Sequence, residues 1–187
     1  MNIYDFDNTI FKGDSSVKFF KYSLIRHPFI VLYSILKAIK ESIKYLFHKS
    51  NFGNIKSELF SYVKYIKNLD EYMDKYTMKY IKNIKKFYLE NSKSNDLVIS
   101  ASFLFIVKPF CDKIGIKNVI ATSYDTKNGK IIGANCKGEE KVKRFNELYK
   151  GSEVLNAYSD SLSDVPMLKL AKNAYIVKDE ELIKFNK

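Results

Sequence analysis

Apolar positions follow two different patterns along the chain, and these patterns divide it into two kinds of segment. After a short apolar run at residues 1–4, residues 15–90 place apolar side chains at helical spacing and contain one Gly and one Pro. From residue 97 onward, short apolar runs alternate with helical stretches, and strands are predicted at 97–101, 119–123, 154–158 and 175–177. This alternation is typical of a parallel sheet with helices on its faces. We therefore expect an α/β, Rossmann-like core with an all-helical cap inserted after the first strand.

The domain boundaries follow from this division. We expect residues 1–13 and 91–187 to form the core and residues 14–90 to form the cap. The chain is 46% hydrophobic and 28% charged, a composition that can fill a core and is unlike that of a disordered chain. Its two cysteines, Cys111 and Cys136, are too few for a disulfide framework, and the first residues carry no signal pattern. These features predict a cytoplasmic protein with reduced thiols.

Turn and capping residues refine the elements of the core. Helices are predicted at about 106–114, with Pro109 in the first turn, and at 139–149. Ser163 is predicted to cap a helix that continues to Leu170, and Lys127-Asn128-Gly129 predicts a hairpin turn. The strand at 175–177 is expected to be the last one.

One helix of the cap has a pronounced apolar stripe, and further helical regions are predicted at about 54–67 and 70–90. Leu36, Ile39, Ile43 and Leu46 share one face of this helix, whereas the opposite face carries several lysines. We expect most of the stripe to pack inside a helical bundle. The segment 28–47 is the exception to test as a helix that lies on a membrane surface. Its most apolar window, residues 28–36, is far shorter than a membrane-spanning helix requires.

The positive charge is concentrated in the cap. The whole chain has a formal charge of +11, and residues 14–90 contribute 15 Lys or Arg and 7 Asp or Glu, a net charge of +8. A basic region suits an anionic partner, such as a phosphorylated substrate, an anionic membrane or nucleic acid. The abundance of Lys, Asn, Ile and Tyr together also fits a coding bias toward A and T, which would explain the charge without any partner.

The densest chemical pattern is Asp5-Phe6-Asp7-Asn8-Thr9, directly after the first apolar run. Carboxylates two residues apart point to the same side of an extended chain. Two such charges repel unless a cation lies between them or one of them holds a proton. The motif therefore predicts a metal site, an acid/base pair, or both.

Three more positions with suitable chemistry stand at predicted strand ends or at a helix start. They are Ser100 at the end of the second strand, Lys141 near the start of a helix, and the acidic pair Asp160 and Asp164 after a later strand. With residues 5–9, and in this order, the chain resembles the haloacid dehalogenase-like phosphatases, whose first motif is D-x-D-x-T. The position of the helical cap resembles their subfamily IB, which has a cap of the C1 type. Asn8 stands where that family often has Gly, and Asn tolerates the same left-handed turn conformation.

The resemblance implies a reaction and a role for each motif residue. Asp5 would attack a phosphomonoester and form an aspartyl-phosphate, and Asp7 would act as general acid and then as general base. Ser100 and Lys141 would hold the phosphoryl oxygens. These four residues are the expected catalytic residues.

The resemblance also implies a cofactor and contacts with the substrate. Oxygen ligands alone suit Mg²⁺, and a dication bound between Asp5 and Asp160 would offset the repulsion between a carboxylate and a phosphate dianion. The expected metal-site residues are Asp5, Asp7 (through its carbonyl oxygen), Asp160 and Asp164, the last in orienting a metal-bound water or Lys141. The expected substrate contacts are Thr9, Ala101 and Arg26, with Asp14 and cap tyrosines as further candidates for the specificity pocket.

Two substrate classes and one unrelated function stay open. The cap resembles that of the phosphoserine phosphatases, whereas Cys136–Val142 and Tyr158–Ser161 are more similar to the C-type phosphatidylglycerophosphate phosphatases. The basic, tyrosine-rich cap favours a lipid phosphate and peripheral contact with an anionic membrane, and a soluble metabolite phosphatase is the alternative. A basic nucleic-acid-binding protein is the distant alternative. No nucleic acid is expected, because the sequence carries no recognisable nucleic-acid-binding motif and an acidic cleft repels a phosphate backbone.

Overall fold

A computed structural model describes residues 1–93 and 95–186. Its main feature is a six-stranded sheet with the strand order β3-β2-β1-β6-β7-β8. A separate hairpin is formed by β4 and β5. The strands are β1 (Asn2–Tyr4), β2 (Leu97–Phe103), β3 (Asn118–Thr122), β4 (Tyr124–Asp125), β5 (Lys130–Ile131), β6 (Val154–Ser159), β7 (Ala171–Lys178) and β8 (Glu181–Lys184).

The sheet confirms the predicted α/β core. β1 lies between β2 and β6, and β3, β2, β1, β6 and β7 pair in parallel. The chain runs from β1 outward to β2 and β3 on one side and then crosses to β6 on the other side, so the strand order reverses at β1. In open α/β sheets, ligands bind at such a switch point, beyond the carboxyl ends of the strands. One prediction was wrong, because β7 is followed by a short antiparallel edge strand, β8. All four residues of β8 are exposed, so they lack the buried face that gives a strand its recognisable pattern.

Helices fill the chain between β1 and β2. They are α1 (Ser15–Arg26), α2 (Pro28–Leu46), α3 (Phe52–Leu59), α4 (Leu69–Tyr80) and α5 (Lys86–Asn91). Short 3-10 turns at Ser61–Tyr65 and Ile81–Asn83 interrupt the longer helices that were predicted there. We keep residues 14–90 as the proposed cap and the remaining residues as the proposed core.

The helices of the core differ from prediction at two ends. They are α6 (Leu104–Lys113), α7 (Glu139–Leu148) and α8 (Val165–Leu168). α6 begins earlier than predicted, so Pro109 lies in its interior rather than in its first turn. Ser163 is not the cap of a long helix. The Ser161 side chain accepts a hydrogen bond from the Ser163 N–H, and a 3-10 turn at Leu162–Asp164 leads into the short α8.

The helices and the sheet share one aromatic core. The rings of Phe60 and Phe103 lie 5.1 Å apart, and those of Tyr76 and Phe110 lie 5.6 Å apart, both in edge-on geometry. In each pair the first residue belongs to the proposed cap and the second to the core. Such pairs contribute about 0.5–1.5 kcal/mol each beyond the area they bury. The cap is therefore packed directly onto the sheet.

The apolar stripe of α2 is not buried as expected. Leu36, Ile39, Ile43 and Leu46 are 66%, 52%, 52% and 74% exposed, so the prediction that they pack inside a bundle was wrong. The face opposite the stripe, where lysines were predicted, also carries the buried residues of α2, Val31, Ser34 and Ala38, so that prediction was wrong in part. Within the part of the chain that the structure describes, no helix is long and apolar enough to cross a membrane.

Candidate active site

Two loops bring acids to the carboxyl edge of the sheet. Asp5 follows β1, and its N–H donates to the Tyr158 carbonyl oxygen of β6 at 2.9 Å. Asp160 follows β6, and its N–H donates to the Thr9 hydroxyl at 2.9 Å. Asn8 turns the first loop at a φ of 56°, in the left-handed region expected for it. Neighbouring parallel strands thus place two sequence-distant acids side by side.

Lys141 lies between two of the predicted carboxylates. Its Nζ donates to Asp5 Oδ1 at 2.6 Å and to Asp164 Oδ2 at 2.7 Å. Asp164 Oδ2 also accepts from the Ser159 hydroxyl at 2.8 Å. The Lys141 side chain is 2% exposed, and burial of a lysine at this level requires acidic partners. We call Asp5, Lys141 and Asp164 the ion cluster.

The site carries more negative charge than its lysine balances. Burial raises the pKa of Asp5 to about 7, although Lys141 acts in the opposite direction. Burial also raises the pKa of Asp160. For Lys141, burial alone would lower the pKa, but Asp5 and Asp164 outweigh it and raise the pKa. A further cation at the site would stabilise the ionised carboxylates.

The residues present fit a magnesium ion. The Thr9 hydroxyl lies 3.3 Å from Asp5 Oδ2 and 3.4 Å from Asp160 Oδ1, so one small atom can reach both carboxylates. Among the described residues, no three acidic, histidine or cysteine side chains converge as a closed metal site. Mg²⁺ needs no such cage, because it keeps several waters and binds through one or two carboxylates.

Asp7 is held by donors from both parts of the molecule. Oδ1 accepts from the N–H of Ser15, at the start of α1, at 2.6 Å, and Oδ2 accepts from the Ser102 hydroxyl of β2 at 2.5 Å. The Ser16 hydroxyl lies 2.8 Å from that of Ser102. Burial raises the pKa of Asp7, the Asp14 charge raises it further, and the bond from Ser102 lowers it. A hydroxyl can donate or accept, so Ser102 can serve Asp7 with or without a proton.

A cavity of about 350 Å³ opens beside these carboxylates. Its walls come from the sheet edge, from the first turns of α1 and α3, and from the loop before α7. Residues lining it include Asp5, Asp7, Asp14, Ser16, Phe52, Lys56, Ala101, Ser102, Asn135, Lys141, Asp160 and Asp164. A cavity of this size can accept a small ligand or one end of a larger one.

Lys56 brings a positive charge from the cap into this cavity. Its Nζ donates to the Ala101 carbonyl oxygen at 2.8 Å and to Asn135 Oδ1 at 3.0 Å, and it lies 4.5 Å from the centre of the Phe103 ring. Burial lowers its pKa to about 8. Lys56 thus joins the cap to two segments of the core and leaves one donor available.

Three predicted site residues occupy positions that differ from expectation. Ser100 is buried, its hydroxyl accepts from the Ser102 N–H at 3.0 Å, and it is not among the residues that line the cavity. Thr9 is also fully buried, against the carboxylates. Arg26 does not line the cavity, because its guanidinium packs 3.6 Å from the centre of the Tyr22 ring. Ala101 and Asp14 line the cavity.

Several residues of the cavity were missed by sequence reasoning, among them Ser16, Lys56, Ser102 and Asn135. For two of them the local sequence contained a pattern that could have indicated the site. Ser102 lies two residues after Ser100 and therefore on the same side of the strand, and Ser16 follows an aspartate that caps α1. Lys56 and Asn135 had none, because only the tertiary fold brings their segments to the site.

Comparison with known proteins identifies a family and several relatives. A family model described as haloacid dehalogenase-like hydrolase matches residues 3–169. The histidinol-phosphatase of Neisseria meningitidis serogroup C (strain 8013) is 32% identical over 130 residues, which cover 61% of this chain and 59% of that protein. A probable phosphatase of Mycobacterium tuberculosis is 34% identical over 91 residues, which cover 45% of this chain and 32% of that protein. The chain thus matches less than two thirds of the length of either relative.

Solved structures show the same fold at low sequence identity. A protein of unknown function from Bordetella pertussis Tohama I superimposes with a TM-score of 0.73 at 18% identity, covering 94% of this chain and 88% of that one. A substrate-bound phosphoserine phosphatase superimposes with a TM-score of 0.55 at 18% identity, covering 92% and 82% of the two chains. These similarities extend over the cap as well as the sheet.

The depressed pKa of Lys56 predicts a specific pH dependence of stability. Between a folded pKa of about 8 and an unfolded pKa of about 10.5, the unfolded chain binds more protons at this residue, so its contribution to stability rises with pH. Urea titrations at several pH values in this window should show that the free energy of unfolding of the wild-type protein rises by up to about 3 kcal/mol relative to that of Lys56→Met. Lys75→Met is the control, because the surface partner Glu71 raises the pKa of Lys75. If the free energies of unfolding of the wild type and Lys56→Met change with pH in the same way, the lowered pKa of Lys56 is contradicted.

Proposed function

The chain belongs to the haloacid dehalogenase-like hydrolases, and from that membership we propose that it is a magnesium-dependent phosphomonoester hydrolase that forms an aspartyl-phosphate. The observation that carries the proposal is the ion cluster at the rim of the cavity. There a buried lysine holds one oxygen of Asp5 at 2.6 Å, and the same carboxylate faces the cavity. A nucleophile fixed beside a cation suits attack on an anionic phosphoryl group.

The first step transfers the phosphoryl group to Asp5. An Asp5 carboxylate oxygen forms a bond to phosphorus while the bond from phosphorus to the ester oxygen breaks. Asp7 gives its proton to the departing oxygen, which leaves as an alcohol. Lys141, kept in place by Asp164, neutralises charge on the phosphoryl oxygens, and Ser100 is proposed to assist by hydrogen bonding.

The second step releases phosphate. Asp7, now ionised, accepts a proton from a water molecule that attacks phosphorus, and the bond from phosphorus to Asp5 breaks. Ser102 supports both steps, because its hydroxyl can accept from a protonated Asp7 and donate to an ionised one. The serine pair Ser16 and Ser102 therefore suits a residue that alternates between acid and base.

Magnesium would be held by the carboxylates of Asp5 and Asp160 and by the Asp7 carbonyl oxygen. When bound, it supplies positive charge that offsets the repulsion between Asp5 and the phosphate dianion. Asp164 is proposed to act through Lys141 or a metal-bound water rather than as a direct ligand, because Lys141 and Ser159 already bond one of its oxygens.

Two substrate classes are compatible with this chemistry. The exposed apolar stripe of α2 and the basic cap support a lipid phosphate such as phosphatidylglycerophosphate, hydrolysed by a cytoplasmic enzyme at a membrane surface. The relative named histidinol-phosphatase supports the alternative, a soluble phosphomonoester. In either case Phe52, Lys56 and Asp14 are the proposed cap contacts of the leaving group, and Arg26 would contact only a substrate that reaches beyond the cavity.

Replacement of the nucleophile tests the proposed function. Asp5→Asn should lower Mg²⁺-dependent hydrolysis of p-nitrophenyl phosphate on the order of a thousandfold or more, because the amide cannot form the acyl phosphate. Asp74→Asn, which removes an exposed carboxylate paired with Lys113, should retain activity. Activity is measured as phosphate release, with and without a chelator, and folding by circular dichroism. Hydrolysis by folded Asp5→Asn at the wild-type rate would refute the mechanism.

The activity that Ser102→Ala loses should depend on the leaving group of the substrate, and this dependence tests Asp7 as the proton donor. The nitrophenolate ion leaves without a proton, whereas an alkoxide needs one, so loss of support for Asp7 should affect alkyl phosphates selectively. We expect kcat/KM to fall about tenfold for glycerol phosphate and less than about threefold for p-nitrophenyl phosphate. Ser42→Ala, a serine bonded within α2, is the matched control. Equal losses on both esters would indicate a merely structural role for Ser102.

A substrate panel separates the two classes. If the lipid proposal holds, phosphate release from phosphatidylglycerophosphate in mixed micelles should exceed release from phosphoserine and histidinol phosphate at matched concentrations. An enzyme that hydrolyses only the soluble esters would replace the lipid proposal with the soluble one and leave the catalytic mechanism intact.

A further inference from the structure

α2 exposes an unusually continuous apolar surface. We call it the α2 stripe, and its residues are Phe29, Leu32, Leu36, Ile39, Ile43 and Leu46. Every one is at least half exposed, and Phe29 reaches 85%. They follow one another in alternating steps of three and four residues, which places them along one line of the helix, about 26 Å long. Isolated exposed apolar side chains are ordinary, but a connected row of six marks an interaction surface.

The α2 stripe does not serve to pack α2 against the rest of the protein. α2 packs against the rest of the protein through Val31, Ser34 and Ala38, on the opposite side. The helix is therefore apolar on two sides, and only one of them is covered.

Lysines border the α2 stripe and determine which partner suits it. Residues 26–52 contain five Lys or Arg and one acid, Glu41. That acid already accepts from Lys44 at 2.8 Å and from the Ser50 hydroxyl at 2.5 Å. Lys40 lies beside the stripe and is exposed. Lys37 is paired with Glu58 at 2.9 Å, whereas Lys40 takes part in no ion pair among the described residues, so Lys40 presents uncompensated positive charge at the border of the stripe.

This charge favours a membrane over a second copy of the chain. Steps of three and four residues would also suit a coiled coil between two α2 helices. Such a pair would bring two basic borders together, and residues 26–52 offer it no carboxylate that is not already bonded within its own chain. An anionic lipid surface supplies both an apolar layer for the stripe and negative charge for the lysines.

The α2 stripe is connected to the candidate active site through the next helix. α2 ends at Leu46, and the exposed Phe47 and a short loop lead to Phe52, the first residue of α3. Phe52 is 64% exposed and also lines the cavity that contains Asp5 and Lys141. A surface that covers the stripe therefore lies close along the chain to the rim of that cavity.

We propose that α2 docks flat on an anionic membrane, with the α2 stripe inserted about 5–10 Å into the boundary between headgroups and acyl chains. The flanking lysines contact lipid phosphates and add electrostatic attraction to the apolar contact. Docking depends only on α2 and is independent of the proposed hydrolysis.

Vesicle flotation with the full chain tests the proposal. The wild type should float with vesicles that mix phosphatidylcholine and phosphatidylglycerol, and less with pure phosphatidylcholine. The double variant Leu36→Glu with Ile39→Glu should weaken binding by at least about tenfold, because it removes two apolar contacts and adds negative charge. Phe29→Glu alone should weaken it to a smaller extent, which keeps the test valid if the double variant misfolds.

The controls separate docking from catalysis and from a general effect of surface charge. Leu148→Glu changes a leucine that is 68% exposed on α7 of the core and should bind vesicles like the wild type. Asp5→Asn should also bind normally, so a failed hydrolase proposal would leave docking unaffected.

Two results would overturn the proposal. The first is a wild type that stays with the lipid-free fraction, or folded α2 variants that float as well as the wild type does. The second is a concentration-dependent dimer in sedimentation analysis that the α2 variants abolish without any vesicle binding, which would assign the stripe to a second copy of the chain.

Discussion

The pairing of Lys141 with Asp5 and Asp164 is the constraint on which the site depends. Its three members come from the loop after β1, the first turn of α7 and the turn before α8. A buried ammonium needs acids, and buried acids need a cation, so each member stabilises the burial of the others. Removing the lysine alone would leave two carboxylates without compensation, a change that typically costs about 3–5 kcal/mol. The ion pairs that position the candidate nucleophile thus also offset the free-energy cost of burying it.

A second constraint comes from the aromatic core that the helical segment shares with the sheet. Phe60 contacts Phe103, the last residue of β2, and Lys56 bonds to Ala101 of the same strand. These contacts hold the first turn of α3 over the cavity. The helical segment therefore supplies one wall of the cavity.

The sequence predicted the parts of the site that regular structure places, and it missed the parts that tertiary packing places. Asp5 and Asp160 follow parallel strands, whose carboxyl ends meet at one edge of the sheet whatever the details of packing. Lys56 reaches that edge only because α3 packs across it, and no local pattern records such a contact. For α2, the spacing of Leu36 and Ile39 predicted an apolar face but could not say whether that face was covered, since the opposite face is apolar as well.

Asp7 shows how these constraints combine. One of its oxygens accepts from the backbone of Ser15, where the helical segment begins, and the other accepts from Ser102, in the central sheet. The backbone N–H can only donate, so a proton on this carboxyl belongs on the oxygen that faces Ser102. A shift of α1 relative to β2 would change the Ser15 contact with Asp7 and the contact between the Ser16 and Ser102 hydroxyls. The geometry of the proposed proton donor is therefore coupled to the position of α1 through the Ser15 N–H.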